Sequence, residues 1–195
     1  MPGKHSPIPI YRYLAIHETV LQHFCDDGVI TELGLKEEWY WPKEKRRLPF
    51  LNIYGRICLR GGLVLDVDKV LNITDVAGQY YIQTSAYSYN LSMKEEGNVF
   101  RYDNSHAHGE HITPHHFHRF DPPGTEVAGS PFEIGNNWPT LGEVIQQADL
   151  YYWEHIYPQQ VHDGSGERIN DRDTLQRQTY QATPCFPNAV AASRT

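Results

Sequence analysis

Apolar residues first recur at helical spacing, with Tyr13, Ile16, Val20 and Phe24 on one stripe and Leu14 and Leu21 beside it. The stripe predicts a helix that Asp26-Asp27-Gly28 stops. Residues 1–10 hold three prolines and predict an extended arm before it. From Leu51 the period becomes two: Ile53, Ile57 and Leu59 share a face, and Gly61-Gly62 separates them from Leu63, Leu65 and Val67. This is a hairpin. A strict two-residue loop would set Ile57 against Asp66, whereas an odd loop sets Ile57 against Val67, Leu59 against Leu65 and Arg56 against Asp68 on the outer face. The odd loop is the predicted one.

A second hairpin follows, from about Tyr80 to Met93, through a turn at Glu95-Glu96-Gly97-Asn98, and back from Val99 to Asn104. An even register puts Tyr87, Tyr89, Leu91 and Met93 on one face with Phe100 and Tyr102. Arg101 and Asp103 then share the opposite, polar face with Ser88, Asn90 and Ser92. Residues 105–139, punctuated by Pro114, Pro122-Pro123, Gly124, Gly129, Pro131 and Pro139, predict a long irregular connection of the kind that often carries function. Thr140 with Glu143 forms a capping box, and Leu141, Val144, Ile145, Ala148, Tyr151 and Tyr152 continue as a helix to about Ile156. The predicted class is α+β: an antiparallel sheet of about four strands, in two hairpins, packed against an N-terminal and a C-terminal helix. It forms a single domain over residues 11–156, between the arm at 1–10 and a polar tail at 157–195 that is flexible or partner-dependent.

Charge and composition narrow the function. A formal charge of -7 argues against a global basic field for nucleic acid, although a local site is compatible with it. The one dense basic run, Lys43-Glu44-Lys45-Arg46-Arg47, reads first as a solvated loop. Cys25, Cys58 and Cys185 are odd in number and widely spaced, which supports neither a disulfide framework nor a cysteine zinc site. A reducing cytoplasm fits, and no apolar run long enough to span a bilayer occurs.

Chemistry concentrates between Arg101 and Arg119, where six of the eleven histidines occupy thirteen positions: His106, His108, His111, His115, His116 and His118. Solvated loop histidines would account for one or two of these, not for the density. One reading is a metal site for zinc, copper or nickel, because His106 with His108 and His116 with His118 have a spacing that points two imidazoles one way from an extended backbone, with Glu110 as a further ligand or a base. The other is metal-free acid–base chemistry at phosphorus, in which imidazoles exchange protons with nucleophile and leaving oxygen. Arg101 or Arg119 would stabilise the phosphoryl charge, and Asp103 would orient a histidine. Tyr87, Tyr89 and Tyr102 offer stacking platforms for RNA bases, but the register assigns their rings to the core.

With these residues in view, the run from Tyr87-Ser88-Tyr89 through Gly97, Phe100-Arg101-Tyr102-Asp103-Asn104 and Pro114-His115-His116-Phe117-His118 resembles the TumE-like toxin family. The order of features over about residues 51–156 agrees as well. His106-Ala107-His108 stands where the family has paired histidines, and the arm, first helix and tail are additional. The resemblance implies a cytoplasmic toxin of a type II toxin–antitoxin module, neutralised by a cognate antitoxin and acting as a ribonuclease on RNA, with no cofactor. It implies catalytic roles for Arg101, Asp103, Asn104, His115, His116 and His118, and substrate contacts from Tyr89, Tyr102, His106, His108 and Arg119. The competing readings are a metal-binding enzyme using His106, His108, His116 and His118, and a non-enzymatic binding module; a homo-oligomer is admitted by all three.

Overall fold

The computed structural model describes residues 5–43, 48–94, 96–104 and 114–161. A short strand, β1 (Ile8–Pro9), leads into helix α1 (Ile10–Asp26), which ends just before Gly28 turns with φ of 65°. Six strands follow: β2 (Ile30–Tyr40), β3 (Phe50–Leu59), β4 (Leu63–Val76), β5 (Gln79–Met93), β6 (Gly97–Asp103) and β7 (His116–Asp121). Two-residue strands β8 (Thr125–Glu126) and β9 (Phe132–Glu133) come next. The C-terminal elements are α2 (Leu141–Tyr151), a π-helical turn over Tyr152–Ile156, and α3 (Tyr157–Val161).

The class is α+β as predicted, but the antiparallel sheet has nine strands rather than about four. Its order is β2-β3-β4-β5-β6-β7-β8, with β1 paired to β5 and β9 to β7. The two predicted hairpins are parts of one meander, because β4 runs on to Val76 and turns into β5 through Ala77-Gly78. Both turn residues have positive φ, 54° and 82°, as a two-residue primed turn requires. The arm is tied down in part, since Ile8 faces Ile82. Most of the basic run and the tail beyond Val161 lie outside the described residues.

The odd loop between β3 and β4 occurs, but it is centred on Gly61, so Ile57 faces Leu65 rather than Val67. Arg56 accordingly faces Asp66 instead of Asp68, and its Nε lies 2.8 Å from Oδ1. The centre is set by packing: a Cβ on Gly61 would stand 2.4 Å from the Tyr152 ring. The β5–β6 hairpin keeps the predicted faces, but its loop is odd rather than even, with Met93 opposite Gly97 and β6 starting two residues before Val99. Tyr89 faces Tyr102, Leu91 faces Phe100, Asn90 faces Arg101 and Ser88 faces Asp103, and a bulge between Leu91 and Ser92 reconciles this with the Met93–Gly97 pair.

Both helices pack on the apolar face of the sheet. Leu51, Ile53, Leu71, Ile73 and Ile82 lie with Ile8, Ile10, Tyr13 and Leu14, whereas Ile57, Leu65, Val67, Tyr89 and Phe100 meet Leu21 of α1 and Leu141, Val144 and Ile145 of α2. The α1 face is rotated from the predicted stripe: Ile16 stays 48% exposed and the half-buried His17 turns inward. Thr140 and Glu143 form the predicted capping box. A cap contributes about 1 kcal/mol, against about 1.5–3 kcal/mol for each buried Val or Ile, so packing holds α2 and the box sets its start.

Candidate functional site

Alternation along β6 decides where its charged residues go. Phe100 and Tyr102 turn toward the core cluster, so Arg101 and Asp103 emerge on the other face. The antiparallel neighbour β7 then sets His118 opposite Arg101 and His116 opposite Asp103. These four side chains converge. Arg101 Nε is 2.8 Å from Asp103 Oδ2, His118 Nε2 is 3.3 Å from the same oxygen, and His116 Nδ1 is 4.0 Å from Oδ1. Arg101 Nη2 lies 3.1 Å from His118 Nε2.

The sequence did not single out Glu126 or Ser130, yet both belong to this cluster. Glu126 Oε1 lies 2.7 Å from His118 Nδ1 and accepts a hydrogen bond of 2.7 Å from the Ser130 hydroxyl. The signal available was Asp121-Pro122-Pro123-Gly124, a turn that returns the chain along β7 and brings a carboxylate back beside a histidine. His116 and His118 themselves sit on a strand, not in the predicted irregular connection, because Phe117 between them packs against the core. That connection also contains β8 and β9.

Burial separates the roles. Asp103, His116 and His118 are buried, whereas the side chains of Arg101 and Glu126 are 32% and 42% exposed and form the accessible rim. The Ser130 hydroxyl, then His118, hold the Glu126 carboxyl below its ordinary range. His118 thus has a carboxylate at each ring nitrogen, an arrangement that keeps the imidazole oriented. Asp103, shared by Arg101 and His118, is the cluster's central acceptor. The combination provides a proton carrier, its two orienting carboxylates and a guanidinium able to meet an anion.

Other predicted site residues lie elsewhere. His115 is on the helix-covered side, where its ring stacks on Trp138 at 5.1 Å and its Nδ1 is 3.2 Å from the Tyr87 hydroxyl. Burial, then the neighbouring His116, lowers its pKa. Asn104 clamps β6 to β5: its Oδ1 accepts from the Tyr87 amide at 2.8 Å and its Nδ2 donates to the Ser85 carbonyl at 3.0 Å. Tyr89 is fully buried and Tyr102 donates to Gln147 of α2 at 2.9 Å, so both rings serve packing. Arg119 faces Phe100 across β6–β7, on the opposite parity from His118, and its side chain is exposed. His106, His108, Glu110 and His111 lie outside the described residues. Among the described residues no group of three or more His, Cys, Asp or Glu side chains is arranged to hold a metal ion.

The model of the family Toxin TumE matches residues 50–147, half of the chain. This chain belongs to the TumE toxin family. No curated protein and no solved structure matches it. The matched span of this TumE toxin begins at the first residue of β3 and ends within α2, so Arg101, Asp103, His116, His118 and Glu126 all fall inside it. Helix α1 and strand β2 precede it. As a TumE toxin, the protein stands on the toxin side of a toxin–antitoxin module. No helix among the described residues is long and apolar enough to cross a membrane.

Proposed function

We propose that this TumE toxin is a ribonuclease that cleaves RNA by metal-independent acid–base chemistry, and that a cognate antitoxin neutralises it. The observation that carries the reading is His118, held between Asp103 at 3.3 Å and Glu126 at 2.7 Å with the Arg101 guanidinium beside it. Arg101 meets the scissile phosphate and stabilises the charge that develops on its oxygens. The proton of the attacking ribose hydroxyl passes through the Glu126 carboxylate on the accessible rim to His118 and returns by the same route to the leaving 5′-oxygen; Asp103 fixes the imidazole, and the buried His116 is a positioning residue behind Asp103. An adjacent ribose hydroxyl is the nucleophile, which restricts the reaction to RNA.

The test uses labelled RNA incubated with purified protein in excess chelator, beside His118→Ala and Arg101→Ala variants whose folding is checked by circular dichroism. Cleavage should persist in chelator, and removal of the proton carrier should lower the rate by about 10²-fold or more. Undiminished cleavage by folded His118→Ala, or loss of wild-type cleavage in chelator, contradicts the assignment.

A further inference from the structure

On the helix-covered face of the sheet, alternation along β4 calls for an apolar residue where Lys69 stands. Its inward-facing neighbours Val67 and Leu71 are 4% and 0% exposed, and Lys69 itself only 6%. The ammonium has no hydrogen bond or ion pair among the described residues; it meets the Tyr13 ring, 5.2 Å from the centroid. A cation–π contact recovers less than withdrawing an ammonium from water costs, so Tyr13 offsets only part of the penalty. Losing the proton does not resolve this at neutral pH, because burial lowers the amine only to about 8.

A cleft of about 90 Å³ opens beside it, lined by Lys69 and Tyr13 together with Leu71, Ile82, Trp138 and Thr84, and among the described residues no acidic side chain contributes to its wall. That volume corresponds to about three water molecules at roughly 30 Å³ each, enough for a carboxyl group and one or two carbons. The wall sets one ammonium beside the apolar Leu71, Ile82 and Trp138, with the neutral polar groups of Ser6, Gln83, Thr84 and Thr140 and the His5 imidazole around them. A single ammonium matches a single negative charge better than the doubled charge of a phosphate. We propose that the Lys69 cleft binds a carboxylate on a short apolar stem, as an independent site on the face of the sheet opposite His118.

The test titrates propionate into the full-length protein at constant ionic strength, with chloride and inorganic phosphate as comparison anions, and follows thermal stability and the Lys69 ¹³Cε resonance. A saturable rise in Tm with propionate, absent in Lys69→Met, and a Lys69 titration midpoint that moves up from about 8 on saturation are expected. Should Lys69→Met fail to fold, the midpoint shift in the wild type decides. An unchanged midpoint, or a phosphate response as large as that to propionate, overturns the proposal. A blocked glutamate-containing tetrapeptide distinguishes the sources: tighter binding than propionate assigns the carboxylate to a protein partner, weaker binding to a small molecule, and either supports the site.

Discussion

His17 and His118 show how one residue type is put to opposite uses by its surroundings. His118 sits between two carboxylates, whereas His17, on the inner side of α1, has its pKa lowered to about 4 by burial and then by Lys69. Between pH 6.5 and about 4 the unfolded chain therefore binds a proton that folded His17 refuses, and stability falls as the pH drops through that window. The shift corresponds to at most about 3 kcal/mol. Urea denaturation at pH 7 and pH 4.5 should show His17→Leu losing less stability than the wild type; equal losses would contradict the assignment. The pairing of Arg101 with Asp103 was legible in the sequence because strand parity alone decides it. Glu126 was not, since its approach to His118 depends on a two-residue strand that only tertiary pairing defines. His115 misled for the same reason in reverse: adjacent to His116, it takes the other side of the chain and joins the Trp138 stack.

Among the elements, the turn between β7 and β8 matters most because it carries Glu126. It lies hard against the start of β6: a Cβ on Gly97, where φ is 81°, would be 2.9 Å from the Pro123 carbonyl oxygen, and one on Gly124 would be 3.0 Å from the Asn98 nitrogen. Gly97→Ala should destabilise the fold by about 1–3 kcal/mol and lower RNA cleavage by displacing Glu126. Gly62→Ala is the comparison, because φ is 76° there but nothing lies within 4 Å of the added Cβ. It should cost only about 1 kcal/mol and spare cleavage. Denaturant titration and RNA assays on both variants check this, and equal effects would remove the turn from the account. Strand number was under-read for a related reason. β2 exposes most of its side chains and so lacks a clean alternation, while β1, β8 and β9 are too short to leave a period.

At the scale of the molecule, the sheet divides two tasks between its faces. One face is covered by α1 and α2 and holds the core, with Lys69 as its single buried cation among the described residues. The other carries Arg101, Asp103, His116 and His118 in register on neighbouring strands. With a formal charge of -7, the protein has no global attraction for a polyanion, so the proposed contact with RNA depends on local groups such as Arg101. In the proposed reaction His118 moves a proton at phosphorus while a ribose hydroxyl attacks. Analysis of the ends left on RNA cut by the wild-type protein in excess chelator tests this most directly. Attack by the ribose hydroxyl leaves 2′,3′-cyclic phosphate and 5′-hydroxyl termini, which is the expected result; 5′-phosphate termini, or intact RNA, would contradict it.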